Sequence, residues 1–300
     1  MTMQSLAIEK RSATTTTPPG ARSAVEPVGK LIDISKCIGC KACTVACFEW
    51  NDLRAEIGND VGNYDERYAD LSDQMWSIMR FREVDGPDGV VQWFMRKDSC
   101  LHCEDPGCIK ACPSPGAIVK YANGIVDFNQ ANCIGCGYCV SGCPFNIPRV
   151  SKKDNKAYKC TLCADRVQIG QYPICVKTCP SSAISFGSHK DMIAKGEKRV
   201  TGLQARGFQH AALYNPQGVG GTHVMYVVPR GDQLEHYGLP KDPHISPWVN
   251  LWRGFTKPLL ALGLGLGVLT MFFHYVTRGP VDEDAGDDHA KADAQEGAKQ

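Results

Sequence analysis

The 300-residue chain sets 33 Lys and Arg against 32 Asp and Glu. That near-balance argues against a general nucleic-acid binder, and the length allows one large domain or two small ones. The 16 cysteines sit in tight C-x2-C groups rather than scattered, which argues against a disulfide framework.

Residues 1–28 are polar and rich in Thr, Ser and Pro, with no apolar stretch of a secretory signal; Lys10 and Arg11 are not a twin-arginine pair. A flexible N-terminal arm is expected, or one ordered only on a partner. Lys30 to Ser35 roughly alternates apolar and polar residues and predicts a short strand leading into Cys37. Cys37, Cys40, Cys43 and Cys47 form the first cysteine group. Gly39 lets the backbone turn where a side chain would crowd the sulfurs. Lys41 to Trp50 reads as a short helix carrying Cys47. Residues 51–99 are an insertion. Within it, Trp76 to Phe81 and Val90 to Met95 flank a turn at Asp85 to Gly89, a hairpin signal whose aromatics are expected in the core.

Cys100, Cys103, Cys108 and Cys112 form the second group. A small hairpin follows, with Ala117 to Val119, Asn123-Gly124 and Ile125 to Asp127. The third group reads C-x2-C-x2-C-x3-C-P across Cys133, Cys136, Cys139 and Cys143. The fourth, Cys160, Cys163, Cys175 and Cys179, is stretched by extra residues. Cys-Pro followed by Ala-Ile recurs after Cys112 and Cys179, an internal repeat. Phe48 stands where the other three groups have Pro. His223 to Val228 is a further strand candidate. His189, His210, His223, His236 and His244 are scattered and read as ordinary histidines.

Leu259 to Val276 holds 18 residues with no Asp, Glu, Lys or Arg, roughly 27 Å as a helix. Trp248, Trp252, Phe255 and Tyr275 flank it as interfacial aromatics do. Gly263, Gly265 and Gly267 would let another helix approach. The domain reading is therefore an arm at 1–28, a cysteine-rich domain at 29–245, an interfacial linker at 246–257, a transmembrane helix at 258–277 and an acidic tail at 278–300. The positive-inside rule faintly favours a cytoplasmic main domain, from Lys241, Arg253 and Lys257 against Arg278 and Lys291.

The C-x2-C-x2-C-x3-C-P run is the ligand run of a bacterial-type ferredoxin, where thiolates hold a [4Fe–4S] cube. Zinc is the rival, since paired C-x2-C also builds four-thiolate zinc sites. Three closely spaced cysteines wrap one cube, and the fourth ligates the neighbouring cube. Adjacent groups two and three should exchange fourth ligands, leaving groups one and four to pair outside them. The expected sets are Cys37, Cys40, Cys43 with Cys179; Cys160, Cys163, Cys175 with Cys47; Cys100, Cys103, Cys108 with Cys143; and Cys133, Cys136, Cys139 with Cys112. The fold class is α+β, two nested ferredoxin-like two-cluster modules followed by one C-terminal transmembrane helix. Four [4Fe–4S] clusters in a row, with no catalytic residue, make a wire. Lys36, Lys41, Lys97, Lys110, Lys159 and Lys177 flank the cysteines, as counter-charges or as plain solvated side chains.

The chain resembles the iron–sulfur (beta) subunit of respiratory formate dehydrogenase, through CIGCKACTVACFEWND, CLHCEDPGCIKACPSPGAI, CIGCGYCVSGCPFNIPR, YKCTLCADRV, VKTCPSSAI, YNPQGVGGTHVMYV and GLPKDP. The resemblance covers nearly the whole chain. It implies a molybdenum- or tungsten-bis-pterin catalytic alpha subunit that oxidises formate, a cytochrome b gamma subunit that reduces quinone, and no nucleic-acid partner. It also implies a periplasmic iron–sulfur domain on the inner membrane with the tail in the cytoplasm, against the weak charge bias. Nitrate reductase relatives replace one ligand cysteine with Trp; here all 16 positions are Cys. The same wire in a hydrogenase or a sulfur-compound or DMSO-type reductase is the alternative. A zinc-stabilised membrane-anchored binding module is the alternative of another class.

Overall fold

The computed structural model describes residues 6–13, 26–53, 70–86, 89–251 and 257–279. Most of the arm, the turn residues Pro87 and Asp88, the aromatics Trp252 and Phe255, and the acidic tail from 280 lie outside the described residues. In chain order the first half contains β1 (Ile8–Arg11), β2 (Val28–Asp33), α1 (Ala42–Trp50), β3 (Ile78–Asp85), β4 (Val91–Asp98), α2 (Gly107–Ala111), β5 (Ile118–Tyr121), β6 (Val126–Phe128) and α3 (Tyr138–Ser141). The second half contains β7 (Arg149–Val150), β8 (Ala157–Tyr158), α4 (Ala164–Gln168), α5 (Ile174–Lys177), β9 (Ile184–Ser188), α6 (His189–Gln204), β10 (Ala212–Tyr214), β11 (Val224–Val228), α7 (Pro247–Leu251) and α8 (Lys257–Arg278). The chain divides into two units, between Val249 and Asn250.

The first unit is organised by a four-stranded sheet in the order β10-β11-β2-β9, with β11 parallel to β2 and the other pairs antiparallel. β2 is buried at every position because both faces are covered. Leu31 packs with Met192, Leu203, Met225 and Val227 beneath α6. On the other face Val28 and Ile32 join Tyr226, Val224 and the cysteines Cys43 and Cys175. Side chains on a strand alternate between faces, so this sheet has a helix face and a cysteine face. α6 has no counterpart in the expectations above. Its signals were a Ser188 cap, whose Oγ accepts from Asp191 N at 3.1 Å, and apolar residues at Met192, Ile193, Val200 and Leu203.

The expected hairpins are present, β3 with β4 and β5 with β6. Phe81 and Phe94 are buried, but Trp93 is half exposed and donates from Nε1 to Glu83 Oε1 at 2.6 Å. The core expectation therefore fails for Trp93, which lies at an exposed position of β4. The flexible arm needs a larger correction. Ile8–Arg11 pairs antiparallel with β5, and Ser12 is fully buried. Ser12 Oγ donates to Ser114 O and accepts from Ile118 N at 3.1 Å. An edge strand left open by the β5–β6 hairpin supplies the backbone partners that a polar, aperiodic segment does not advertise.

The second unit is α8 with its flanks. Its apolar side chains are exposed along the whole span Pro258–Arg278, which has a mean hydropathy of 1.9. That is long and apolar enough to cross a membrane.

Candidate metal centres

Each cysteine group opens with the same backbone turn. Two residues after the first cysteine the chain is left-handed, at Gly39 (φ +66°), His102 (+49°), Gly135 (+70°) and Leu162 (+54°). This turn bends the following N–H toward the first sulfur. His102 N donates to Cys100 Sγ and Leu162 N to Cys160 Sγ, each at 3.4 Å; Gly39 N donates to Cys37. Glycine at two of the four turns is required by space as well as by φ. A Cβ would lie 2.7 Å from Phe81 Cε1 at position 39 and 2.0 Å from Asn155 O at position 135. His102 and Leu162 hold the strained conformation because they are buried. Val126 N also donates to His102 Nδ1 at 3.0 Å.

The third cysteine of every group stands on a short helix: Cys43 on α1, Cys108 on α2, Cys139 on α3 and Cys175 on α5. The helices pack in pairs, α1 on α5 and α2 on α3. Backbone contact in the second pair is close, with the position of a Cβ on Gly107 only 2.2 Å from Gly142 O. Groups one and four therefore meet, as do groups two and three.

The thiols gather in four sets. Burial pushes the Cys37 thiol up, and Cys43, Cys179 and Cys40 add to it by charge. Burial likewise raises Cys163, with Cys160, Cys175 and Cys47 acting on it. Cys103 is raised well above the ordinary range by burial, then by Cys100, Cys143 and Cys108. Cys139 is pushed up to about 12 by burial, then by Cys112, Cys133 and Cys136. Cys100, Cys103, Cys108 and Cys143 line one pocket, and Cys112, Cys133, Cys136 and Cys139 another.

Such a set suits a cluster better than a single ion. Among the described residues no three His, Cys, Asp or Glu side chains converge closely enough to hold one metal ion. The thiols surround space instead. All donors are sulfur, the soft ligand that iron–sulfur clusters take. The thiols that burial pushes up, such as Cys37, Cys103, Cys139 and Cys163, must release protons on loading. A second observation requires an anion here. Lys30 is fully buried, and its Nζ has no hydrogen-bond partner among the described residues. A buried ammonium without a counter-charge is costly. Lys30 acts by charge on Cys160, Cys47 and Cys100, so anionic thiolate clusters supply what it lacks.

The four sets adjoin one another in sequence. Cys175 acts on Cys43, linking the first set to the second. Cys160 and Cys100 are buried in one apolar cluster with Leu71, Ile78 and Ile147, linking the second to the third. Cys139 acts on Cys108, linking the third to the fourth. An exposed cysteine occurs only in the two terminal sets, Cys40 in one and Cys136 in the other, while Cys103 and Cys143 in a middle set are half-buried. Beside each stands an exposed isoleucine, Ile38 at 63% and Ile134 at 60%.

The lysines divide unevenly. Lys97 and Lys159 are buried, Lys36 is largely exposed, and Lys110 pairs with Asp105 at 2.5 Å. Lys30 lies in β2, not beside a cysteine in sequence; its only signal was a lysine at an inward position of a buried strand. His223 is a core histidine. Its Nδ1 lies 2.7 Å from Val28 O and its Nε2 2.9 Å from Glu104 Oε2, with the His189 ring tilted against its own at 4.5 Å between centres.

Comparison with known proteins agrees with this geometry. Residues 36–117 and 91–189 each match a 4Fe-4S dicluster domain, and residues 245–288 match the formate dehydrogenase N transmembrane domain. The nitrate-inducible formate dehydrogenase iron–sulfur subunit of Escherichia coli (strain K12) is 58% identical, across 96% of this chain and 100% of its own length. The formate dehydrogenase iron–sulfur subunit of Haemophilus influenzae is 54% identical, across 96% and 93%. The hydrogenase-2 operon protein HybA of Escherichia coli O157:H7 is more distant, 28% identical across 87% and 88%.

Proposed function

The chain belongs to the family of formate dehydrogenase iron–sulfur subunits, and on that premise we propose that it is the electron relay of a membrane-bound formate dehydrogenase. It receives electrons from a molybdenum- or tungsten-bis-pterin catalytic subunit and delivers them to a cytochrome b subunit and quinone. It contributes no catalytic residue of its own. Bound [4Fe–4S] clusters supply the one-electron carriers. Cys37, Cys40, Cys43 and Cys179 hold the first. Cys160, Cys163, Cys175 and Cys47 hold the second. Cys100, Cys103, Cys108 and Cys143 hold the third. Cys133, Cys136, Cys139 and Cys112 hold the fourth.

The observation that carries this reading is the row of adjoining thiol sets with an exposed cysteine only at its two ends. A relay needs buried middle stations and two accessible termini. We assign the Cys37 end to the catalytic partner and the Cys133 end to the membrane partner. The iron–sulfur domain lies on the periplasmic side, the helix at Pro258–Arg278 crosses the inner membrane, and the tail is cytoplasmic.

The test is anaerobic addition of formate to the purified full complex. Bleaching of the visible iron–sulfur absorption, with four irons per thiol set, is expected. Full iron content with no bleaching by formate would sink the reading, and bleaching by hydrogen alone would point instead to the hydrogenase role that HybA's likeness suggests.

A further inference from the structure

Four lysines are buried in the main unit: Lys30, Lys97, Lys120 and Lys159. Lys120 is neutralised, by Glu104 at 2.5 Å and Glu9 at 3.7 Å. The other three make no ion pair among the described residues. They come from separate parts of the chain. Lys30 points from β2 to the cysteine face of the sheet, alongside Val28 and Ile32. Lys97 is the next-to-last residue of β4, with its Nζ donating to Ser99 Oγ at 3.2 Å. Lys159 follows β8 and donates to Val126 O and, at 3.0 Å, to Cys160 O; its side chain also lines the cavity of the Cys100 set.

All three act by charge on one sulfur, that of Cys160. Lys30 and Lys159 act on Cys100 as well, and Lys97 on Cys175, Cys43 and Cys47. Asp127 also acts by charge on Lys159. Cys160 and Cys100 share one apolar cluster, so the charge of all three lysines bears on the place where the two modules join.

We propose that Lys30, Lys97 and Lys159 form a buried cation junction that stabilises the reduced state of the two middle clusters relative to the terminal ones. This rests on the relay and on the thiol sets assigned above. A four-thiolate cluster is an anion, and reduction adds one negative charge. A fixed cation nearby favours the reduced form, and in a dry interior the attraction is screened little. Two adjacent anions repel, and cations placed between them offset that repulsion. The terminal sets reach solvent at Cys40 and Cys136, where water screens charge. Electrons entering at one end therefore collect in the middle of the row, and a second electron can follow before the first has left.

The experiment is an anaerobic redox titration of the full complex followed by electron paramagnetic resonance, with iron measured on the same samples. In Lys30→Met, two of the four clusters should become harder to reduce. At fixed poise their reduced-to-oxidised ratio should fall at least tenfold, 59 mV for a one-electron couple. The other two should stay in place, and Lys30→Arg should restore the original values. Full iron with all four potentials unmoved, or moved equally, overturns the proposal while leaving the relay intact. Too little iron in the unaltered complex overturns the four-cluster reading itself. If Lys30→Met assembles no clusters, Lys97→Gln and Lys159→Gln decide by the same two outcomes.

Discussion

Trp50 Nε1 donates to Asp165 Oδ2 at 2.8 Å, closing a sequence gap of 115 positions. The guanidinium of Arg166 lies 4.2 Å from the centre of the same ring. Trp50 ends the helix that carries Cys47, and Asp165 stands two residues after Cys163. One side chain thus pins the first cysteine group to the fourth.

The exchange of fourth ligands makes a specific claim about Cys47. Cys47→Ala should remove the cluster of Cys160, Cys163 and Cys175, and about a quarter of the iron, while the Cys37 cluster keeps its signal. Resonance spectra of the variant complex compared with the parent would show this. Loss of the Cys37 signal alone would mean that each group keeps its own fourth cysteine.

Gly135 offers a purely steric prediction. Alanine there carries a left-handed penalty of about 1–2 kcal/mol, and its Cβ would sit 2.0 Å from Asn155 O. Asn155 belongs to the loop before β8, whose Ala157 N donates to Cys133 Sγ at 3.4 Å. Gly135→Ala should therefore deplete the Cys133 cluster selectively. Gly137→Ala should be milder, since no atom lies within 4 Å of its Cβ position.

A pH dependence resides in Glu104. The hydrogen bond from His223, then that from Lys120, holds its carboxyl well below the usual carboxylate range despite partial burial. The folded value is lower than the unfolded one. The stabilisation is therefore present above the ordinary glutamate range, about pH 4.3, and is lost as pH falls through that range toward the lowered value. Glu104→Gln should melt below the parent at about pH 7, with the gap narrowing in acid. Anaerobic calorimetry at a series of pH values measures it; a gap independent of pH would contradict the assignment.

Removal of the chain beyond residue 250 tests the anchor. The span Pro258–Arg278 has no buried side chain in its own unit, so its loss should leave the thiol sets intact. The truncated complex should lose quinone coupling or leave the membrane fraction, and should still oxidise formate with an artificial dye. Full retention of both membrane partitioning and quinone coupling would count against α8 as the anchor.

The cysteine spacing alone determined a great deal. Three thiols within seven residues, as in the first and third groups, can only wrap something local, and the opening C-x2-C of all four groups announced four such places. The apolar span was equally plain, because helix length and hydropathy are properties of contiguous residues. The strand at Ile8–Arg11 was not legible, because its partner is a distant hairpin edge and a polar segment carries no period of its own. The buried lysines divide the same way. Lys97 and Lys159 stand near cysteines in sequence, whereas Lys30 reaches Cys160, Cys47 and Cys100 only because β2 lies at the centre of a sheet and turns that side chain to the cysteine face. Ligand type and local reach are written in short stretches of chain. Which groups meet, and where charge is buried between them, depends on packing between segments far apart in sequence, and only the folded protein decides that.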